Sequence, residues 1–399
     1  MKTVATGQVL GKAARAVKAV TGSKYWAVLD NARVIALPGS IQISGTDLET
    51  WIHYSVDCDT GRDTNGAPVF IDAGRLSGAV KSLKGNTEVG ITAGALSIGA
   101  LLLPGNPDAV EDYPVQAKYG INPVLWTARI LELSGAEFKA MMKRNKATSK
   151  KSGDTTRLSL TGINIEYALD GNGARLTTTD GYSLNTEEYG ATLHKDATRR
   201  ALVCMAPLLK AAAAAGARDT VTFIMLEEEG GAPLLRLKIE SAAATIDYYI
   251  RSIAEEFPDY SRVIPAASSA LASFTVDPAE FARIVSAART VAPSDSEAVT
   301  VTVCPAEFTH NGAGPDLLKI SADSAAGSFS ESISITRAGS FSARGDLAPV
   351  SFNAEYLLKI SAFSDNPITI HLAGPLQAAR VDYSAGRVAV LMPVNLKGR

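Results

Sequence analysis

Cysteine is scarce in this chain. Its 399 residues hold three, Cys58, Cys204 and Cys304. They are odd in number, widely separated and without a CxxC pair, which argues against both a disulfide framework and structural zinc. Widely spaced thiols with mostly apolar neighbours fit a reducing compartment, where a buried Cys behaves as a small hydrophobe. Histidine is nearly as rare: His53, His194, His310 and His371 show neither HExxH nor HxH spacing, so no metal centre is expected. Aromatic residues are 7% of the chain and do not interleave its basic runs, which argues against a stacking platform for single strands. Neither sign of charge dominates. With 39 Lys and Arg against 41 Asp and Glu, the net charge is −2, which excludes a uniformly basic coat but not a basic face balanced by an acidic one. Long apolar runs are missing as well. The longest, 201–217, is broken by Pro207 and Lys210 and falls short of a membrane span. Residues 1–20 lack the apolar core of a signal peptide. A soluble, cytoplasmic protein without membrane attachment is expected.

Catalytic motifs are also lacking. No GxSxG elbow, Walker A loop or GxGxxG after a strand occurs. Asp57, Asp59 and Asp63 resemble the start of a calcium loop, but Gly61 takes the third ligand position and no Glu closes it, so this reads as an acidic turn. Thr46-Asp47-Leu48-Glu49 and Thr179-Asp180-Gly181 offer carboxylates without a converging partner, and their Asp side chains are expected to cap turns by accepting backbone N–H bonds. No enzyme activity, cofactor or metal is expected.

What is present is a rhythm. At 46% hydrophobic residues, a chain of this length predicts two to four globular domains of about 100–200 residues each. Amphipathic helices are predicted at 8–20, 134–147 and 277–290, and a second set at 73–83, 206–217 and 353–363. Alternating runs such as 33–44, 157–166 and 299–303 read as strands. Thr46-Asp47 recurs as Thr179-Asp180, with Ser321-Ala322-Asp323 a weaker third match. Proline-bearing passages at 111–123 and 255–265 separate the thirds, giving domains 1–123, 124–256 and 257–399.

Positive charge follows the helices. The first 29 residues carry Lys2, Lys12, Arg15, Lys18 and Lys24 and no carboxylate. Leu10, Ala13, Ala14, Val17 and Val20 share one helical face, and Lys12, Arg15 and Lys18 the other. The second opening helix repeats this, with Phe138, Met141 and Met142 opposed to Lys139, Lys143 and Lys146; Lys150, Lys151 and later Arg199 follow. Acidic residues collect in predicted strands and loops. Such a distribution can make one positive surface for phosphates. No recognition-helix or zinc-finger motif indicates base readout.

Six short segments carry a family resemblance: Ser44-Gly45-Thr46-Asp47-Leu48-Glu49, Arg157-Leu158-Ser159-Leu160-Thr161-Gly162, Thr178-Thr179-Asp180-Gly181-Tyr182-Ser183-Leu184, Phe257-Pro258-Asp259-Tyr260-Ser261-Arg262-Val263-Ile264-Pro265, Phe352-Asn353-Ala354-Glu355-Tyr356-Leu357, and Val390-Leu391-Met392-Pro393-Val394-Asn395-Leu396. In this order and spacing the chain resembles the bacterial DNA polymerase III β subunit, the sliding clamp, over essentially its whole length. The resemblance implies an α+β fold of three repeated clamp domains, with helices lining the inside and antiparallel sheets outside, closed as a head-to-tail dimer into a six-domain ring. It implies a non-catalytic processivity factor that encircles double-stranded DNA without sequence preference. Lys12, Arg15, Lys18, Lys24, Lys139, Lys143, Lys146, Lys150, Lys151 and Arg199 are then the candidates for facing DNA.

The same resemblance implies a pocket for short peptides from the replicative polymerase, the clamp loader and repair proteins. Carried over by motif, its wall is Leu160, Thr179, Gly181, Leu184, Pro258, Arg262, Val263, Val390, Met392, Pro393 and Val394, with Tyr182 at the edge. Aliphatic and Met side chains suit a dry, adaptable groove. The dimer contact suggested is 98–103 against the region around Thr290-Val291. Departures from the family are Tyr182-Ser183 where many members have His-Arg, Asn395 for a basic residue, the extension Lys397-Gly398-Arg399, and Trp26-Ala27-Val28-Leu29 without proline. They imply a divergent clamp, or alternatively a phage- or plasmid-borne or duplicate protein of clamp fold that competes for clamp partners. A nucleoid-associated location in the cytoplasm follows.

Overall fold

A computed structural model describes residues 2–22, 26–59, 67–81, 83, 85–92, 94–114, 124–151, 156–168, 170, 173–190, 193, 198–228, 232–305, 308–309, 312–313, 315–341 and 348–395. The chain divides into two compact units, one of Met1–Met142, Ile165–Ala174 and Gly190–Glu255, the other of Lys143–Asn164, Arg175–Tyr189 and Glu256–Arg399.

Period-two alternation in the first unit builds antiparallel strands whose apolar side chains all face one way. Strands β2 (Asn31–Leu37), β3 (Ser40–Thr46), β4 (Thr50–Asp57), β5 (Val69–Asp72), β9 (Val124–Ser134), β14 (Thr220–Glu228), β15 (Leu234–Ser241) and β16 (Ala244–Arg251) form one eight-stranded sheet in the order β5-β2-β3-β4-β16-β15-β14-β9. A four-stranded sheet, β1-β6-β7-β8, holds β1 (Lys2–Thr6), β6 (Asn86–Thr92), β7 (Ala95–Ile98) and β8 (Leu101–Pro104). Helix α1 (Gly7–Val20) buries Leu10, Ala13, Ala14, Val17 and Val20. It packs on α2 (Ala73–Val80), α5 (Met205–Ala214), β3 and β4. Its approach to β3 requires glycine: a Cβ on Gly45 would stand 2.5 Å from Thr21 Cγ2 and 2.8 Å from Val17 Cγ1. A short α3 (Ala109–Asp112) covers Phe70, and β13 (Thr198–Cys204) leads into α5.

Helix α4 (Gly135–Ala147) and strands β10 (Gly162–Ala168), β11 (Gly173–Thr179) and β12 (Ser183–Gly190) have residues in both units. The second unit continues with β17 (Ala272–Val276), α6 (Pro278–Arg289), β18 (Ala298–Cys304), β19 (Phe308–Thr309), β20 (Gly312–Ala313), β21 (Leu317–Ser324), β22 (Gly327–Ser334), β23 (Thr336–Phe341), β24 (Val350–Asn353), α7 (Ala354–Ser361), β25 (Ile368–Leu372), β26 (Ala379–Ser384) and β27 (Arg387–Leu391). Its larger sheet runs β12-β27-β26-β25-β17-β23, extended beyond β12 by β11 and β10, and its smaller runs β22-β21-β18-β24. Phe274, Phe281, Ile284, Leu318, Ile320, Phe352 and Leu357 meet in the core. Asp277 and Asn353 cap α6 and α7 by accepting the Glu280 and Glu355 amides, each at 2.8 Å.

Element boundaries refine the sequence reading. Residues 33–44 form two strands rather than one, because Pro38 supplies no donor and Gly39 turns the chain at φ +78°. Residues 158–161 form a 3₁₀ turn before the strand begins at Gly162. Helix α2 stops at Val80, three residues early. Among the described residues no helix is long and apolar enough to cross a membrane, and no group of three or more His, Cys, Asp or Glu could hold a metal ion.

Candidate functional site

Thr179 and Asp180 make the turn that delivers β12. The Thr179 hydroxyl donates to the Ser183 carbonyl at 2.7 Å and accepts from the Gly181 amide at 3.1 Å. Asp180 Oδ1 accepts the amides of Tyr182 and Ser183 at 2.9 and 2.7 Å and the Ser183 hydroxyl at 3.1 Å. Gly181 sits at φ +96°, where a side chain would be strained. The first unit repeats this turn. Thr46 donates to the Thr50 carbonyl at 2.8 Å, and Asp47 Oδ1 takes the Thr50 amide at 2.7 Å. Both carboxylates therefore cap turns, as their sequence context implies. The third match is displaced: Asp323 lies inside β21, and Ser324, one residue later, accepts the Ala326 amide at 3.1 Å because the hairpin turns there.

Beyond the turn, pairing register decides which side chains share a face. Leu184 stands opposite Val390, Val390 opposite Arg380, Arg380 opposite His371, and His371 opposite Ser273. This row crosses five strands, so all five side chains leave the sheet on the same side. Thr177 and Thr186, 3.1 Å apart through their hydroxyls, belong to that side too. Leu184 and Val390 are buried, forming a floor rather than an open wall. The chain leaves β27 with the Met392 amide on the Tyr182 carbonyl at 2.9 Å and the Val394 amide on the Ser351 carbonyl at 2.7 Å. Thr179, Gly181, Tyr182, Leu184, Val390, Met392, Pro393 and Val394 are thereby gathered in one neighbourhood. Tyr182 is 65% exposed and Met392 43%, an apolar rim above the floor.

The remaining expected wall residues lie on the 3₁₀ turn and on the 257–265 loop. Leu160 is buried at the end of the 3₁₀ turn, and its carbonyl accepts the Lys150 amide at 2.9 Å. Pro258, Arg262 and Val263 are exposed on the 257–265 loop. Arg262 Nε lies 3.5 Å from Asp259 Oδ2, an exposed pair of little energetic weight. Two links fasten this loop to the sheet: Arg175 of β11 hydrogen-bonds Tyr260, and Arg380 Nη1 donates to the Pro265 carbonyl at 3.2 Å.

Tyr356, on the first turn of α7, is a neighbour that the motif carry-over left out. Its ring stacks on Tyr182 at 6.3 Å between centroids, 29° from parallel, and Lys359 Nζ stands 5.0 Å from its centre. Burial, then the charge and hydrogen bond of Asp180, push the Tyr356 phenol up to about 12. The conspicuous signal was the Asn353-Ala354-Glu355-Tyr356 segment itself. Glu355 is lowered from the ordinary carboxylate range by its hydrogen bond to Lys359, 2.7 Å away.

The basic residues are distributed as the helical faces predict. Lys12, Arg15 and Lys18 are exposed on α1 opposite its buried stripe, and Lys139, Lys143 and Lys146 are exposed on α4 opposite Phe138, Met141 and Met142. Lys151 is exposed and Lys150 half-buried. Arg199 is exposed but 3.9 Å from Glu227, so part of its field is spent locally. Lys24, residues 60–63 of the acidic turn, residues 115–123 of the 111–123 boundary passage, Leu396 and the 397–399 extension lie outside the described residues.

The same fold is known from solved structures. The DNA polymerase III subunit beta from Pseudomonas aeruginosa superposes with a TM-score of 0.77 at 18% identity, covering 99% of this chain and 100% of that one. This is the fold of the bacterial sliding clamps. The clamp from Bacillus subtilis gives 0.77 at 17% identity, and the beta subunit from Thermotoga maritima 0.74 at 18%, each covering 99% of both chains. Clamps from Pseudomonas aeruginosa and Bartonella birtlesii are described with griselimycin bound. No protein-family model matches the sequence, and a comparison with curated proteins finds no match. At these identities the likeness is one of fold.

Proposed function

We propose that the chain is a DNA sliding clamp, a non-catalytic processivity factor of three domains, 1–123, 124–256 and 257–399, that closes head-to-tail with a second copy around duplex DNA. What carries this reading is the coincidence of a clamp fold along the whole chain with exposed cations on the solvent faces of α1 and α4. A ring is held on DNA topologically, so its phosphate contacts need be neither strong nor sequence-specific.

The sheets favour closure. Strands β8 and β22 are each the edge of a four-stranded sheet, and β8 exposes Leu101 and Leu102. An apolar edge strand invites pairing. Joining β8 of one copy to β22 of the next would complete an eight-stranded sheet like the one already inside the first unit. Thr290 and Val291 end α6 beside the β21–β22 turn, with Val291 accepting the Ser324 hydroxyl at 2.8 Å, so they would border such a seam. A contact of this kind is heterologous and repeats at both ends of a two-copy ring.

The exposed rim of Tyr182 and Met392 over the Leu184–Val390 floor suits a short apolar peptide, and griselimycin is the probe for it. The replicative polymerase, clamp loader and repair proteins would bind through such peptides, in the cytoplasm at the nucleoid. The test of the ring is retention on nicked circular DNA. The native chain, once loaded, stays on the circle and runs off after linearisation; Lys139→Glu, Lys143→Glu and Lys146→Glu together shorten its stay. Equal retention on linear and circular DNA would end the reading.

One observation favours a second reading, a clamp-fold protein that competes for clamp partners. The rim carries the Tyr182–Tyr356 stack, and Ser183 is buried against Asp180, so no cation projects from these positions. Affinity for the host polymerase's clamp-binding peptide separates the two: a working clamp binds at about micromolar or tighter, roughly −8 kcal/mol.

A further inference from the structure

We propose that Arg175 and Arg380 are positioning residues that clip the 257–265 loop across the outer face of the second unit's sheet, and so hold Arg262 and Val263 at the rim. The inference rests on reading that face as peptide-binding.

Each arginine is anchored on the sheet and has a donor left for the loop. Arg175 grips Glu188 of β12 from β11, Nε to Oε1 at 2.8 Å and Nη2 to Oε1 at 2.6 Å, and also hydrogen-bonds Tyr260. Arg380 donates Nε to Asp382 Oδ1 at 2.8 Å and Nη1 to the Pro265 carbonyl at 3.2 Å. Asp382 is itself held, its Oδ2 lying 3.1 Å from His371 Nε2, while His371 Nδ1 lies 2.8 Å from Ser273 Oγ. This chain of contacts fixes the Arg380 guanidinium in the row that contains Val390 and Leu184. Proline has no N–H, so the carbonyl is the one backbone group with which Pro265 can be fastened. Bonds from a guanidinium are charge-assisted and stronger than neutral ones.

Between the clips the loop folds on itself. The Val263 amide donates to the Tyr260 carbonyl at 3.1 Å, and Asp259 Oδ1 takes the Ser261 hydroxyl at 2.7 Å. These bonds close the turn while its two ends are pinned, so the clips set both where it sits and how well the Val263 amide is protected. Because each arginine keeps a carboxylate partner when the loop lifts, opening strands no unpaired charge. Substituting the arginine does remove that partner, but Glu188 and Asp382 are both partly open to solvent and Asp382 keeps His371, so the loop should be freed without unfolding the sheet.

The test compares Arg175→Gln, Arg380→Gln and Arg380→Lys with the native chain by hydrogen exchange and by griselimycin dissociation. In both Gln variants the Val263 amide exchanges about tenfold faster, while β26 and β27 amides keep their protection. Griselimycin leaves about tenfold sooner with a nearly unchanged on-rate. Arg380→Lys, which can serve Asp382 or Pro265 but not both in the guanidinium's fork, falls between. Unchanged Val263 exchange overturns the clip. Faster exchange with unchanged dissociation overturns the positioning role. If the native chain takes no griselimycin, the peptide reading fails, and the exchange result alone decides the clip.

Discussion

Arg144 and Glu187 form a two-pronged ion pair beneath β12, Nε to Oε1 at 3.1 Å and Nη2 to Oε2 at 2.6 Å, with the carboxylate fully buried. Asn145 and Asn185 each add an amide at 3.0 Å to Oε1, the Tyr189 hydroxyl donates to Oε2 at 2.7 Å, and Arg387 stands 3.7 Å away. Burial works against the Arg144 charge, but the hydrogen bonds and charge of Glu187 outweigh it, holding the guanidinium above its ordinary range. The pair ties the last turn of α4, which presents Lys143 and Lys146 outward, to the strand that carries Leu184 on its other face.

Arg144→Met leaves Glu187 buried with fewer compensating donors. Losing one partner of a buried pair costs about 3–5 kcal/mol, whereas replacing both by apolar groups is often near neutral. Urea unfolding should therefore show a loss of about 3 kcal/mol for Arg144→Met and a much smaller one for Arg144→Met with Glu187→Leu. A double variant as unstable as the single would show that the surrounding asparagines and tyrosine, not the pair, set the cost.

The helical faces were legible because their evidence is local. Leu10, Ala13, Ala14, Val17 and Val20 repeat at helical spacing, and the structure buries all five while exposing Lys12, Arg15 and Lys18. The Thr-Asp turns were legible for the same reason, since Asp47 and Asp180 bond amides two and three residues ahead. Long-range partners were not. Nothing near residue 144 announces Glu187, nothing near Tyr182 announces Tyr356, and the contacts of Arg175 and Arg380 with the 257–265 loop join residues 85 and 115 positions apart. Such pairs follow from strand register, which the chain specifies only once it has folded.

The twin turns allow a controlled comparison. Asp47→Ala and Asp180→Ala each remove a carboxylate that accepts two backbone amides. Each should cost about 1–2 kcal/mol in urea unfolding. Only Asp180→Ala should weaken griselimycin, because the turn it shapes carries Tyr182. Equal losses of binding would mean that the peptide face responds to general stability rather than to this turn.

Tyr356 should titrate late. Its phenol is pushed up to about 12 by burial first and then by Asp180, against 10 for the unfolded chain. The folded state thus keeps a proton that the unfolded state loses. This contribution to stability is fully present below pH 10 and is lost as pH rises from about 10 to about 12. In an alkaline titration followed by tyrosinate absorbance, Tyr356→Phe should delete one component near pH 12, and Asp180→Ala should move it toward 10. A Tyr356→Phe curve that loses amplitude near pH 10 instead would contradict the Asp180 contact.

The edge strand β8 bears on assembly. Leu102 is 65% exposed on it. Leu102→Glu places a charge in the centre of the proposed seam and should shift the particle in light scattering from twice the 41.8 kDa chain mass to the chain mass alone. The thermal midpoint of each protomer should hardly move, because this side chain is not in a core. If both proteins scatter as the same dimer, the seam lies elsewhere.

Salt dependence tests α1 separately from α4. Its buried stripe is unaffected by changes at Lys12, Arg15 and Lys18, which are exposed on the opposite face. Glutamine keeps the helix propensity and avoids adding a negative charge to the last turn, where the helix dipole would oppose it. If all three cations meet phosphate, changing them together to Gln lowers the slope of log K against log salt by about 0.9 for each, or about 2.7 per protomer. Binding to duplexes of different sequence should weaken by the same factor, since phosphate contacts carry no base information. Unfolding curves should coincide with those of the native chain, so a lost affinity can be assigned to the removed charges. An unchanged salt slope would move the DNA-facing surface away from α1.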